Sequence, residues 1–205
     1  LNMEKLRILF VCSGNSDGQS SNLESSRPYI FEQAKSLYKL GVNVKVLAIK
    51  RKGVKGYLSY YISLIRHIKK FNPHLVHCHY GLCGFLGILQ PFKKVVTTFH
   101  GSDIDTVPTR YVSKLVSFFS NSSIFVNSLH PKIINFENEI NLVPCGIDLS
   151  IFKPINRDYS RKLLGLDSNR KYALFSSGFD NPIKNYNLAK SAVSSAEYEI
   201  TRENN

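Results

Sequence analysis

The chain has 205 residues, of which 43% are hydrophobic and 12% aromatic, and this composition excludes a wholly disordered protein. It carries 27 Lys and Arg against 15 Asp and Glu, a formal net charge of +12. No acidic residue occurs between Glu32 and Asp103, a stretch that holds twelve Lys or Arg. Such a surface is either a well-solvated basic face or one that attracts phosphates, lipid headgroups, acidic glycans or nucleic acid.

The cysteines and the apolar runs indicate in which cellular compartment the protein is expected. The four cysteines follow no disulfide framework, and no apolar run is long enough to span a membrane. The run Ile8–Cys12 is too short for a signal peptide and is typical of a strand. These features predict a cytoplasmic protein that can touch the inner face of the membrane without crossing it.

Short apolar runs alternate with longer amphipathic segments, which is the pattern of an α/β protein with a buried parallel sheet. Strands are predicted, in chain order, at Leu6–Cys12, Val42–Ala48, Leu75–Cys78, Lys94–Thr98, Ser123–Asn127 and Ile140–Val143. Helices are predicted over Pro28–Leu40, Leu58–Phe71, Cys83–Leu89 and Tyr111–Ser120. The expected fold is a Rossmann-like, doubly wound parallel sheet.

A second, incomplete unit is predicted after the run Val143–Asp148. A short helix over Asp158–Leu164 precedes a strand at Tyr172–Ser176 and a helix at Tyr186–Ser195, which together give one βα unit. We therefore expect a first domain over residues 1–154 and the truncated start of a second over residues 155–205.

The loop that follows the first strand is small and polar. Gly14 and Gly18 permit backbone shapes whose amides can hold a phosphate, although a plain surface turn fits the same residues. The run from Cys12 also resembles the start of a low-molecular-weight tyrosine phosphatase loop. That chemistry needs an arginine six positions after the cysteine, where this chain has Gly18, so Cys12 is expected to be a buried strand residue.

Two further loops carry histidines. His77, Cys78 and His79 suggest a zinc site, but strand alternation turns the two histidines to one face and the cysteine to the other, which favours a crevice-lining His79. His100 follows the next strand, where an imidazole can exchange a proton with a ligand. Gly101 allows close approach of the backbone, and Asp103 either binds a ligand hydroxyl or caps the next helix.

Two segments remain open between a structural and a functional interpretation. Lys184 lies before a predicted helix N-terminus, where it either steadies a diphosphate or is a solvated loop lysine. The segment Gly56–Phe71 is amphipathic and basic, which predicts a helix that packs on the core or one that lies on a membrane.

Four segments resemble family 4 glycosyltransferases of the GT-B fold. They are Leu6–Gly14, His77–Leu82, Thr98–Asp103 and Val143–Pro154. The last is the most specific, because a V-P-x-G-[VI]-D-x-x-x-F-x-P run introduces the second domain in that family. The resemblance covers nearly the whole chain through Val193.

The resemblance implies two Rossmann-like domains with an active site in the cleft between them. Such an enzyme transfers a sugar, here expected to be a hexosyl group, from a nucleotide sugar to a glycan or lipid-linked acceptor with retention of configuration. It usually requires no metal, so no cofactor beyond the nucleotide sugar is expected. The candidate residues are His100 and Asp103 for catalysis, Gly14, Gly18 and Lys184 for the donor phosphates, and His79, Tyr80 and Gly101 as crevice lining.

The chain departs from the family pattern at the donor side. Phe179 stands where the family usually has an arginine, and the Glu-x7-Glu donor segment is missing, since the same spacing of Glu24 and Glu32 lies in the wrong half of the chain. This chain is therefore expected to be inactive by itself. The alternatives are a non-catalytic module that binds anions or membranes, and a nucleic-acid-binding protein, which has only net charge in its favour.

Overall fold

The computed structural model describes residues 5–14, 27–136, 139–182, 184–195 and 199–201. The chain divides into two compact units, Leu1–Asp148 and Leu149–Asn205. The predicted domain boundary after residue 154 stays a prediction about where the second domain of the family begins.

The first unit contains a six-stranded parallel sheet, as the sequence predicted. Its strands are β1 (Arg7–Ser13), β2 (Asn43–Ile49), β3 (Leu75–His79), β4 (Lys94–Phe99), β5 (Ser122–Phe125) and β6 (Asn141–Leu142). They lie in the order β2-β1-β3-β4-β5-β6, and all five pairings are parallel. The chain thus winds in both directions from β1, so the strand order reverses between β1 and β3.

Seven helices are described in this unit. They are α1 (Pro28–Lys39), α2 (Gly53–Leu58), α3 (Tyr61–Phe71), α4 (Gly81–Ile88), α5 (Ser102–Asp105), α6 (Val107–Phe119) and α7 (His130–Ile133). The predicted helix Leu58–Phe71 is wrong at its start, because the Ser59 hydroxyl bonds to the Gly56 carbonyl and the chain turns before α3. Neither α5 nor α7 was predicted, since four residues are too few to show a helical period.

Helix α3 packs its apolar face against the sheet. Leu64 and Ile68 are fully buried in the same core cluster as Leu9 and Val76. The apolar face of the amphipathic segment therefore packs on the core, and contact of its basic residues with a membrane stays a prediction. The basic residues are also divided between two edges of the sheet, since Lys50 follows β2 at its carboxyl end and Lys94 opens β4 at its amino end. None of the described helices is long and apolar enough to cross a membrane.

Helix α4 approaches its neighbours closely because three glycines face them. A Cβ atom on Gly81 would lie 2.2 Å from the Ser113 hydroxyl of α6, and one on Gly84 would lie 2.4 Å from a methyl group of Val116. A Cβ atom on Gly87 would meet the Cys78 sulfur at 2.5 Å. The close approach at Gly81 and Gly84 packs α4 against α6, and that at Gly87 packs α4 on the sheet. Both helices contact β4, and α4 also contacts β3, the two strands whose ends carry the candidate histidines.

The second unit contains α8 (Arg157–Leu163), β7 (Tyr172–Leu174), α9 (Tyr186–Ser195) and β8 (Glu199–Thr201). Strand β8 pairs with β7 in parallel, so this unit is a βαβ arrangement that goes one strand further than predicted. The aromatic ring of Phe179 stacks on Tyr186 at 4.1 Å between centroids. The residue that replaces the family's arginine therefore packs against the start of α9.

Candidate functional site

The candidate site lies at the carboxyl ends of β1, β3 and β4. In an open parallel sheet this edge, at the point where the strand order reverses, is where ligands bind. His79 is the last residue of β3 and His100 follows β4 directly. The sheet thus brings together residues 21 positions apart along the chain.

Three histidines form a row along this face of the sheet. The rings of His77 and His79 stack with centroids 4.5 Å apart, and those of His79 and His100 stack at 5.4 Å. The Nδ1 atom of His79 lies 3.2 Å from Nε2 of His100, and Nε2 of His77 lies 2.8 Å from the Thr98 hydroxyl. The prediction that His77 and His79 share a face is confirmed.

Burial keeps this row uncharged. Burial and the neighbouring His100 lower the pKa of His77 to about 4. Burial also lowers the pKa of His79 well below its usual value, and burial together with the nearby Arg27 lowers the pKa of His100 to about 4. At neutral pH His100 is therefore an uncharged imidazole that can both donate and accept a hydrogen bond.

Two tyrosines enclose the His100 ring. The ring centroid of Tyr80 lies 4.8 Å from that of His100, and the Tyr29 centroid lies 5.0 Å away. The Tyr29 and Tyr80 hydroxyl groups are hydrogen-bonded to each other. Tyr80 has a φ of 78°, a backbone conformation that few residues other than glycine adopt. Tyr80 follows β3 directly, and its ring lies against His100 while its backbone holds this strained conformation.

Asp103 ties together the turns that follow β3 and β4. One carboxylate oxygen accepts the Gly81 N–H at 3.0 Å, and the other accepts those of Gly101 at 2.9 Å and His100 at 3.2 Å. Burial raises the pKa of Asp103, and these backbone donors oppose that rise. Asp103 lies inside α5 and is thus not the predicted residue that precedes and caps it, and its carboxylate binds the backbone of the two turns. Its contact with a substrate stays a prediction.

Gly101 occupies a conformation suited to glycine. Its φ is +118°, and a Cβ atom there would meet the His130 ring at 3.4 Å. The backbone can therefore turn sharply from β4 into α5, which presents the N–H groups of His100 and Gly101 to Asp103. The glycine contributes to the site through the shape of this turn.

A cavity of about 400 Å³ opens beside this row. Its walls include Ser13 at the end of β1, Tyr80 at the end of β3, and Ser102, Thr109, Tyr57 and Arg27. Sequence reasoning missed Arg27, Tyr57, Ser102 and Thr109. Arg27 directly precedes Pro28 at the start of α1, and a basic residue entering a helix after the first strand's loop was the available signal.

Gly14, Gly18 and Lys184 were predicted to bind the donor phosphates, and the structure describes Gly14 and Lys184. The Gly14 N–H donates to the Ile49 carbonyl at 2.8 Å, so this amide already has a partner within the sheet. Gly18 lies outside the described residues. Lys184 is exposed in the turn before α9 of the second unit, where its N–H donates to Asn181. The assignment of these three residues to the donor phosphates stays a prediction.

The cysteine alternatives find no support in the geometry. Cys12 is fully buried, and burial raises the pKa of its thiol to about 11, which is unsuited to a nucleophile. Among the residues that the structure describes, no group of three or more His, Cys, Asp or Glu side chains is placed to hold a metal ion. Within the described part of the chain, His77 and His79 therefore have no further ligands of the kind that a zinc site needs.

Residues 29–130 match the family model described as glycosyl transferase 4-like. This segment contains Tyr29, His79, Tyr80, His100 and Asp103, the residues whose geometry defines the row and its enclosure. The chain belongs to the glycosyl transferase 4-like family. No curated protein matches the sequence.

Solved structures with the same fold place this glycosyl transferase 4-like chain among GT-B proteins. A sucrose-phosphate synthase from Thermosynechococcus elongatus superposes with a TM-score of 0.77 at 15% identity, over 97% of this chain and 62% of that one. A glycosyltransferase from Rickettsia africae gives 0.60 at 14% identity, over 98% and 69%. This chain therefore spans less than two thirds of the length of the sucrose-phosphate synthase.

A third structure shows that a shared fold does not establish a shared reaction. A Listeria monocytogenes protein assigned as a UDP-N-acetylglucosamine 2-epimerase superposes with a TM-score of 0.56 at 11% identity, over 99% of this chain and 63% of that one. Its assigned activity is not a transfer, so the fold by itself does not choose the reaction. The family match, rather than the fold, supports the transferase class.

Proposed function

We propose that this chain forms the acceptor side of a retaining glycosyltransferase that moves a hexosyl group from a nucleotide sugar to a glycan or lipid-linked acceptor. The observation that carries the proposal is the neutral His100, held between Tyr29, Tyr80 and His79 at the carboxyl edge of the sheet. A neutral imidazole can bond to a sugar hydroxyl as donor or acceptor without placing a full charge beside it.

The roles of the other residues follow from their contacts. Asp103 is a positioning residue in this proposal, because it holds the backbone on both sides of His100. Lys184 supplies positive charge to the donor diphosphate, which gains negative charge as it leaves. We expect transfer to proceed without a metal ion, so chelation with EDTA should leave turnover unchanged, whereas a loss restored by Mg²⁺ would contradict this expectation.

We also expect residues 1–205 to show no turnover alone. Within its described residues, the second unit has two paired strands and two helices, which are too few to enclose a nucleotide. The test of function therefore uses the longest protein that the gene encodes, assayed against a panel of nucleotide sugars with product detected by mass spectrometry.

The decisive variant is His100→Ala. We expect it to lower kcat/KM by 100-fold or more, on the order of 3 kcal/mol of transition-state stabilisation, with the fold retained. His67→Ala is the matched control, since His67 bonds to Ser63 within α3, away from this site. Equal turnover in the His100 variant and the wild type, or no transfer by the wild type with any donor, would overturn the proposal.

A further inference from the structure

Within the described part of the chain, the cavity beside the histidine row is lined by one cation and several hydroxyl groups. Arg27 contributes the guanidinium, and the hydroxyl-bearing walls are Ser13, Tyr57, Tyr80, Ser102 and Thr109. These residues come from β1, α2, the β3–α4 turn, α5 and α6, so the fold assembles them from five places. A guanidinium in a cavity lined by hydroxyl groups is a chemistry that binds oxyanions.

The positive charge of Arg27 acts on the groups around the cavity. It lowers the pKa of Tyr57 and Tyr80 against the larger effect of burial, and it adds to the effect of burial in lowering the pKa of His100. Its field therefore reaches two residues of the cavity wall, Tyr57 and Tyr80, and the neighbouring His100. An anion in the cavity would be attracted by the same field.

Asp103 opposes this attraction, since its charge raises the pKa of Tyr80 where that of Arg27 lowers it, but its own charge is offset by the backbone. Among the described residues that line the cavity, it is the one acidic side chain. Its two carboxylate oxygens accept three backbone N–H groups, from Gly81, His100 and Gly101, whose dipoles oppose its charge. Asp103 as a whole is 5% exposed, and both of its carboxylate oxygens bind the backbone.

The size of the cavity limits what it can hold. A volume of about 400 Å³ lies within the range of about 300–1,000 Å³ that is usual for small-molecule sites. Leu82 adds an apolar wall beside the polar ones. A sugar-sized molecule that carries an oxyanion meets these conditions, with its anionic group at Arg27 and its body along the hydroxyl groups.

We propose that this cavity binds the anionic group, a phosphate or carboxylate, of the acceptor, with Arg27 as its ion-pair partner. The inference rests on the proposed function, because it names the acceptor class of the same site. Tyr80 lines the cavity and its ring also lies 4.8 Å from the His100 ring. The anionic group is thus bound one tyrosine ring away from the residue proposed to contact the transferred sugar.

The test measures binding and does not depend on turnover. Isothermal titration of the 205-residue chain with glucose 6-phosphate should show binding, whereas glucose should bind at least tenfold more weakly. Arg27→Gln should weaken glucose 6-phosphate on the order of 10- to 100-fold, because it removes a charge-assisted contact. Arg27→Lys should give an intermediate loss, since it keeps the charge but not the planar fork.

Arg66→Gln is the matched control, because Arg66 is exposed on α3 outside the cavity. It should bind glucose 6-phosphate like the wild type. Circular dichroism on each variant separates a loss of binding from a loss of fold, and Arg27→Lys gives a second variant if Arg27→Gln does not fold. Equal affinity in Arg27→Gln and the wild type, or equal affinity for glucose and glucose 6-phosphate, would overturn the proposal.

A diphosphate donor carries the same phosphate chemistry, so a further titration distinguishes the two sources. Uridine diphosphate should neither compete with glucose 6-phosphate nor lose affinity in Arg27→Gln. Competition together with an Arg27-dependent loss would assign the cavity to the donor and overturn the acceptor assignment. Failure of the proposed function would be seen separately, as absence of transfer with every donor while oxyanion binding at Arg27 persists.

Discussion

The Nδ1 atom of His79 lies 3.2 Å from the Nε2 atom of His100, and one of these two nitrogens must carry the proton that joins them. Both rings are uncharged at neutral pH, because burial lowers both pKa values. The tautomer of His79 therefore determines that of His100. Nε2 of His79 is buried and has no hydrogen-bond partner among the described residues. Within these residues, the tautomer of His79 is therefore set by its bond to His100.

The stability of the first unit should depend on pH through this row. His77 has a pKa of about 4 when folded and an ordinary value of about 6.5 when unfolded. Between these values the unfolded chain binds the proton that the folded chain excludes. The stabilisation is therefore complete above pH 6.5 and is lost as the pH falls toward 4, by about 2 kcal/mol at pH 5 for His77 alone.

Urea unfolding at pH 7.5 and pH 5 measures this effect. His77→Gln keeps a polar group able to bond to Thr98 but does not titrate, so its loss of stability between the two pH values should be about 2 kcal/mol smaller than that of the wild type. The same loss in both proteins would show that His77 does not contribute.

Asp103→Asn should destabilise the first unit by roughly 1–3 kcal/mol, because an amide NH₂ would replace an oxygen that now accepts a backbone N–H. Thermal unfolding measures the change. Asp105→Asn is the matched control two residues further on, since its side chain is 61% exposed. Equal melting temperatures for the two variants would contradict the positioning role of Asp103.

Gly84→Ala should destabilise the protein by about 1–3 kcal/mol, because the added methyl group would lie 2.4 Å from Val116 and 2.9 Å from Thr97. Gly146→Ala is the control, since a methyl group there meets no atom within 4 Å. Chemical denaturation of both variants gives the comparison. If Gly84→Ala is as stable as Gly146→Ala, helices α4 and α6 do not pack as closely as described.

Tyr29→Phe and Tyr80→Phe should each cost about 1 kcal/mol of stability, since each removes the hydrogen bond between the two hydroxyl groups. The double variant should cost little more than either single one, because both lose the same bond. Unfolding free energies for the four proteins complete the cycle. Additive losses would indicate that the two hydroxyl groups have separate partners.

The histidine loops show how far sequence reasoning reached into the candidate site. Placing His79 and His100 at the ends of neighbouring strands needed only the alternation of apolar runs and loops. Arg27 was missed because a basic residue before a helix does not by itself indicate that its side chain lies at the end of β1. The sequence indicated Asp103 as a candidate, but not its partners. Its three backbone donors come from two turns that are far apart along the chain, so the residues near Asp103 do not reveal them.

The sequence by itself determined the α/β class, the six strands of the first unit and the segments that follow them, because a buried parallel strand requires a continuous apolar run wherever it lies. Only the tertiary structure decided that Tyr29 meets Tyr80 and that Arg27, Ser13 and Thr109 line one cavity. These contacts depend on the strand order β2-β1-β3-β4, which sets neighbours far apart along the chain side by side. The hydrophobic periodicity of each segment predicts a strand or a helix but does not determine the order of the strands in the sheet.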